Sequence, residues 1–229
     1  MDTTEIHKNK TKAVIFTGGQ VFADSFDELG LTLPDNAHII AADSGYLTAR
    51  RLGFRPELLL GDLDSLDRTR LAPHELDELD KLIVPAVKDD TDTQLAVETL
   101  FERFGADIDI IMIGGLGGRL DHTLSSVFLL EYIAKKGASA IMTDGRNRVR
   151  IMTAQGVTQR LQIARGYKYL SLVSLSDVCE DVSVSGVFYP LSGATLTRGW
   201  SYAVSNEITA DHADISLDSG IMLVIESRD

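Results

Sequence analysis

The chain has 229 residues, with 34 Asp and Glu against 22 Lys and Arg, for a formal charge of −12. Hydrophobic residues at 44% and charged residues at 24% are the proportions of a soluble globular protein of one large or two modest domains, and they exclude a disordered chain. So acidic a balance argues against partners such as nucleic acid or an anionic membrane, which need a basic face, while small polyanions stay accessible through glycine loops, single arginines and bound cations.

In chain order, the first nine residues are polar and are expected to fray. Ala13–Thr17 reads as a buried strand running into Gly18-Gly19, where backbone can turn tightly or approach a ligand. His38–Ala42 is a second strand, ending on Asp43-Ser44-Gly45, and a short helix is predicted from about Tyr46 to Leu52. Leu58–Leu60 is a third strand, leading into Gly61-Asp62-Leu63-Asp64-Ser65. Side chains at i and i+2 of extended backbone point to one side, so Asp62 and Asp64 can converge on a cation. A turn whose acids bond their own backbone is the plainer alternative for that pair.

Lys81–Val84, Ile108–Ile113 and Ala138–Thr143 read as three more strands, and between them Leu95, Val97, Leu100, Phe101 and Phe104, then Leu124, Val127, Phe128 and Ile133, recur at helical spacing. Apolar strands alternating with helices point to a parallel α/β sheet, with ligands beyond the carboxyl ends of its strands. Each polar cluster falls at such an end. In Lys88-Asp89-Asp90-Thr91-Asp92-Thr93-Gln94, Thr91 and Gln94 have capping-box spacing, but three crowded aspartates are more than a cap requires. Gly114-Gly115-Leu116-Gly117-Gly118-Arg119-Leu120-Asp121-His122 lies between a strand and a helix, where glycine N–H groups and an arginine fork can meet phosphates. Asp121 can cap that helix or join a metal shell. Neither the Walker G-x-x-x-x-G-K-[ST] pattern nor the dinucleotide fingerprint occurs in the right context.

Beyond about Arg146 helical periodicity gives way to short β segments: Val149–Thr153, Val157–Ile163, Tyr167–Leu175, Val182–Val187, Ala213–Leu217 and Ile221–Glu226. The last two flank Asp218-Ser219-Gly220, which reads as a hairpin-like turn. The fold class expected is therefore an N-terminal α/β domain, residues 1–146, followed by an all-β sandwich or barrel, residues 147–229. Cys179 is the only cysteine and is expected to be a small buried hydrophobe. With no disulfide framework, signal peptide or apolar run near 18 residues, the expected location is the reducing cytoplasm.

The ordered set Asp43-Ser44-Gly45, Gly61 to Ser65, Lys88 to Gln94, Gly117 to His122 and Ser205-Asn206-Glu207 resembles thiamine pyrophosphokinase, over about Val14 to Arg228. That resemblance implies an α/β domain followed by a β-sandwich, a homodimer with sites between subunits, and transfer of pyrophosphate from MgATP to thiamine. By the same resemblance Asp62, Asp64 and Asp92 hold Mg²⁺ with Asp43 nearby, and the acid that takes the hydroxyl proton is left open among them. Gly117, Gly118, Arg119 and His122 hold the polyphosphate, supported by Asp121. Tyr189, Ser205 and Asn206, with Gln94, face thiamine. Trp200 has no family role and is expected to fill a core or an interface. Departures fall at Ser44, where the family often has Gly, and at Ala203-Val204, where a Gly-containing pair is common. The competing readings are a metal-dependent phosphohydrolase and a non-catalytic nucleotide-binding regulator.

Overall fold

The computed structural model describes residues 10–28, 33–61, 66, 69, 79–83, 91–154 and 159–229. The first nine residues, Asp62 to Ser65, Lys88 to Asp90 and the beginning of the strand expected from Val157 lie outside the described residues. Elements follow in the order β1 (Thr11–Phe16), α1 (Ala23–Glu28), β2 (His38–Ala42), α2 (Gly45–Arg51), β3 (Leu58–Gly61), β4 (Asp80–Ile83), α3 (Asp92–Phe104), β5 (Ile108–Ile113), α4 (Leu120–Lys135) and β6 (Ser139–Thr143). Strands β7 (Asn147–Thr153), β8 (Arg160–Ala164), β9 (Tyr169–Ser174), β10 (Val178–Ser185), β11 (Leu191–Thr197), β12 (Ala203–Asn206), β13 (His212–Ser216) and β14 (Ile221–Ser227) complete the chain.

One ten-stranded sheet, in the order β12-β9-β14-β7-β6-β5-β1-β2-β3-β4, runs through both parts of the molecule, and a four-stranded sheet, β11-β10-β13-β8, packs against one end of it. From β6 to β4 every pair is parallel; from β7 to β12 every pair is antiparallel. The change occurs where β6 pairs antiparallel with β7. The sheet is thus continuous across residue 146, and its faces change partners there.

Burial explains the continuous apolar runs of the parallel strands. Ala13 and Ile15 of β1, with Ile110 and Met112 of β5, join Val97 and Leu100 of α3 and Leu130 and Ile133 of α4. Val14 and Phe16 point the other way, onto Phe26 of α1 and Ala49 of α2. Covered on both faces, such strands need apolar side chains at every position. Strand β7 begins the same way, sending Val149 and Ile151 to the helical cluster. Its Met152 joins Leu172, Met222, Val184 and Ile215 between the two sheets of the sandwich. Arg148 and Arg150 alternate with those apolar residues and grip Glu226 of β14, which is 1% exposed, through bonds of 2.7 Å from Arg148 Nε and 2.6 Å from Arg150 Nη2. Such a buried triad costs desolvation but ties β7 to β14 in one register, Arg148 opposite Glu226.

Two expectations are corrected. Asp218-Ser219-Gly220 does not close a hairpin: β13 belongs to the small sheet and β14 to the large one, and the turn instead pairs with β10 through Asp218 N–H to Glu180 O and Glu180 N–H to Ser219 O. Its buried neighbour Leu217 and Met222 belong to the inter-sheet core, so the chain crosses that core rather than folding back beside itself. Strands β11 and β12 and helix α1 were not legible, since Gly193 and polar residues break alternation in β11, β12 is four residues long and α1 six. Trp200 is 78% exposed, so the core half of its expectation fails and the interface half stands open. Cys179 is buried, its Sγ set against Ser174 Oγ at 3.2 Å and donating to Ile221 O, and burial pushes its thiol pKa up.

Candidate functional site

Strands β1 and β5 are neighbours in space but are separated in sequence by β2, β3 and β4, which all lie on the far side of β1. The strand order therefore reverses between β1 and β5, and the crevice outside the carboxyl ends at such a switch point is where α/β sheets bind ligands. Four of the sequence clusters open there or beside it: Thr17-Gly18-Gly19 after β1, Asp43-Ser44-Gly45 after β2, Gly61 at the end of β3 and Gly114 to Gly118 after β5.

Close backbone approach explains two of the glycines. A Cβ on Gly19 would stand 1.9 Å from Gly114 O and 3.0 Å from Leu116 O, so the loops after β1 and β5 press together without side chains between them. Gly61 has φ +132°, and a Cβ there would meet Asp43 Oδ1 at 1.9 Å. The Asp43 carboxylate thus lies against Gly61, the last described residue before Asp62 in the sequence. Asp43 itself takes φ +46°, a left-handed turn that Asp tolerates, with its N–H on Leu60 O at 2.9 Å.

The glycine loop ends on Gly117 and Gly118, both at positive φ and exposed, and hands over to α4 with Arg119 as the N-cap residue in extended conformation. No side chain caps that end from position 119; instead Asp121 in the first turn accepts from His122 N–H at 3.0 Å. The Arg119 fork clasps the same carboxylate, Nε to Oδ1 at 3.1 Å and Nη2 to Oδ2 at 2.6 Å. That clasp holds the Asp121 carboxyl down to about 2, so the pair is ionised at every working pH. Arg119, Asp121 and His122 are all exposed at the helix end. Backbone N–H groups, a guanidinium and the positive end of a 16-residue helix face one region, an arrangement suited to a polyanion.

At the start of α3, Thr91 Oγ1 accepts from Gln94 N–H at 3.2 Å, as the capping-box spacing predicts. Asp92 lies in that first turn, adding negative charge where the helix dipole favours it. Gln94 and Asp121, placed 27 positions apart, line one cleft of about 580 Å³ between α3 and α4, with Leu124, Phe128 and Tyr132. Among the described residues no three acidic, histidine or cysteine side chains group as a metal site, and Asp62 and Asp64 lie outside those residues.

The third part of the set is remote. Asn206 ends β12, and its carboxamide grips the backbone of Tyr189 from both sides: Tyr189 N–H donates to Oδ1 at 3.0 Å, and Nδ2 donates to Tyr189 O at 2.8 Å. Ser205, at φ +60°, bends the strand so that this side chain turns inward, and its N–H is held by Ser171 Oγ at 2.9 Å. The Tyr189 ring is left 66% exposed, edge-on to Phe188 with ring centres 4.8 Å apart. Asn206 therefore positions the loop that presents Tyr189. Strand β12 lies five strand steps from β5, roughly 24 Å at the usual spacing between strands.

Sequence reasoning missed an apolar stripe. Leu120, Leu124 and Phe128 recur every fourth residue on α4 and are 71%, 46% and 57% exposed, although Leu124 and Phe128 carried the helical pattern. Their spacing is a single-face signal and was legible; that the face is uncovered was not.

Two family profiles match the chain in sequence order: "Thiamin pyrophosphokinase, catalytic domain" over residues 31–142 and "Thiamin pyrophosphokinase, vitamin B1 binding domain" over residues 148–222. A thiamine pyrophosphokinase of Bacillus subtilis is 28% identical over 191 residues, 83% of this chain and 87% of that protein. The crystal structure of the Bacillus subtilis thiamine pyrophosphokinase superposes with a TM-score of 0.81 at 25% identity, covering 96% of this chain and all of that one. That of a thiamin pyrophosphokinase from Geobacillus thermodenitrificans gives 0.79 at 25% identity, covering 96% and 98%.

Proposed function

This chain belongs to the thiamine pyrophosphokinase family, and from that premise we propose how its own residues divide the work. Its activity is the ATP-dependent transfer of pyrophosphate to the hydroxyl of thiamine, giving thiamine diphosphate and AMP. Thiamine's primary hydroxyl attacks the β-phosphorus and AMP departs, a displacement in which the protein's contribution is positioning and electrostatic stabilisation.

In our reading the α/β part, residues 1–146, holds the nucleotide. Gly117 and Gly118 turn N–H groups toward the polyphosphate, and Arg119 and His122 add donors from the first turn of α4. Asp121 holds the Arg119 fork in one orientation, at the cost of occupying it until phosphate competes. The observation that carries this assignment is the meeting of the β1 and β5 loops at the switch point, directly beside the exposed Gly117-Gly118 turn.

Mg²⁺ fits the chemistry of the acids: the Asp43 carboxylate is packed beside Gly61, one residue before Asp62 in the sequence, and carboxylates are the all-oxygen donors a hard cation takes. Asp62, Asp64 and Asp92 would hold it, with Asp43 alongside. When bound, the ion neutralises phosphate charge and fixes the orientation of the polyphosphate. One of the same carboxylates accepts the proton from the thiamine hydroxyl.

The β part, residues 147–229, supplies the acceptor site. Thiamine is a cation with two aromatic rings, and the exposed Tyr189 ring offers it a stacking face. Ser205 and Gln94 supply polar contacts from opposite sides, and Asn206 holds the tyrosine loop. Because β12 stands roughly 24 Å from β5 in one chain, we place each complete site between two copies in a homodimer. The uncovered apolar side chains, Leu120, Leu124 and Phe128 on α4 and Trp200, Tyr202 and Val204 around β12, support that assembly. The unpaired buried Cys179 agrees with a cytoplasmic setting.

The test is to incubate the protein with MgATP, with and without thiamine, and resolve the products by chromatography. AMP and thiamine diphosphate are expected together and only with thiamine. ATP breakdown without thiamine would return the phosphohydrolase reading.

A further inference from the structure

The loop from β1 to α1 is pinned at nearly every residue. Thr17 donates its N–H to Ile113 O at 2.8 Å, Gly19 lies against Gly114 O, and Val21 is buried with its carbonyl held by Arg51 Nη2 at 3.1 Å. Phe22 donates to Asp144 O at 2.8 Å, which ties the loop to the end of β6. Between these anchors Gln20 carries the one exposed side chain of residues 17–22. It does not point at random. A Cβ built on Gly117 would stand 3.6 Å from Gln20 Cβ and 3.8 Å from its Oε1, so the carboxamide extends along the glycine turn at the mouth of the switch-point crevice.

We propose that Gln20 is a positioning residue for the nucleotide's polyphosphate, its carboxamide N–H donating to an oxygen of the phosphates that Gly117 and Gly118 hold. This rests on the nucleotide reading of that crevice. Three features argue for it. With its amide turned so that Nε2 rather than Oε1 faces the turn, a carboxamide beside Gly117 comes within hydrogen-bond reach of a phosphate oxygen bound there, whereas an adenine ring is separated from those phosphates by the ribose. A neutral donor adds a contact without a charge that would have to be desolvated. And a loop pinned through its backbone fixes where the Gln20 Cβ stands, so only the side chain's own torsions remain to be ordered on binding.

The experiment compares wild type, Gln20→Met and Gln20→Glu by calorimetric titration with the magnesium complex of α,β-methylene ATP, together with product formation and thermal melting. Gln20→Met keeps the length of the side chain and loses the donor; its affinity is expected to fall about tenfold, with KM for ATP rising alike and KM for thiamine unchanged. Gln20→Glu keeps the shape that packs on Gly117 but presents a carboxylate to phosphate, and it is expected to bind more weakly still. Melting temperatures should stay together. Affinity within twofold of wild type in Gln20→Met overturns the proposal, as does wild-type binding in Gln20→Glu, which would leave Gln20 a packing residue. If wild type makes thiamine diphosphate while both variants bind normally, only this inference fails; if wild type neither binds the analogue nor makes product, the nucleotide reading fails with it.

Discussion

At the end of β5 the chain reaches Gly114 to Gly118 and starts a 16-residue helix; at the end of β12, in the same sheet, it reaches Ser205-Asn206 and passes to the segment around Val187 and Phe188, with which Ile208 and Glu207 pair. The first place builds a ligand surface from backbone, with glycine turns, pressed loops and a helix end whose donors are fixed by the fold. The second builds one from side chains, with a carboxamide clamping the loop that carries an exposed tyrosine. Backbone sites suit phosphate oxygens, which take hydrogen bonds from any direction, and side-chain sites suit an aromatic cation, which needs a face. The contrast predicts that changes at the loop after β5 act on turnover and nucleotide, and changes near β12 on the acceptor.

The largest effect expected is from Asp64→Asn, which removes a carboxylate from the acid stretch. Turnover should fall by about a thousandfold with the circular dichroism spectrum unchanged; near-wild-type turnover would remove Asp64 from the mechanism. Gly61→Ala should act on both activity and folding. Its Cβ meets the Asp43 carboxylate, and its φ of +132° is open to glycine alone, so denaturant unfolding should show a loss of about 1–3 kcal/mol beside the lowered turnover.

Asn206→Ala is the matching cut at the other site. It frees both backbone groups of Tyr189, which water can then reach, so stability should fall by about 1 kcal/mol while KM for thiamine rises and KM for ATP stays put. A parallel rise in both KM values would erase the distinction between the two regions. The smallest effect concerns Cys179. Buried and held as a thiol by its raised pKa, it should resist iodoacetamide at pH 8 in the native protein and react at once after denaturation.

The same contrast explains what could be read beforehand. The α/β layers and the glycine loop were legible because strands buried on both faces are apolar at every position and because four glycines with Arg119, Asp121 and His122 concentrate a signal in nine residues. The capping of α3 by Thr91 was legible from spacing alone. Around β12 the signal is diluted. Ser205 sits at positive φ without being glycine, the strand is four residues long, and the meaning of Asn206 depends on Tyr189, seventeen residues earlier. The crossing from β13 to β14 was misread as a hairpin because a turn sequence reports the turn and is silent on which sheet each flank joins. Gln20 carries no signal of its own in the sequence, because only the loop packing of β1 against β5, which is long-range, gives it a direction.

The most direct test of the division between the two regions is steady-state kinetics of Arg119→Ala and Tyr189→Ala with each substrate varied in turn. Arg119→Ala should raise KM for ATP by about tenfold or more and leave that for thiamine within twofold, and Tyr189→Ala should do the reverse. Both variants shifting the same substrate, or each shifting both substrates equally, would contradict a nucleotide site at the end of β5 and an acceptor site at the end of β12.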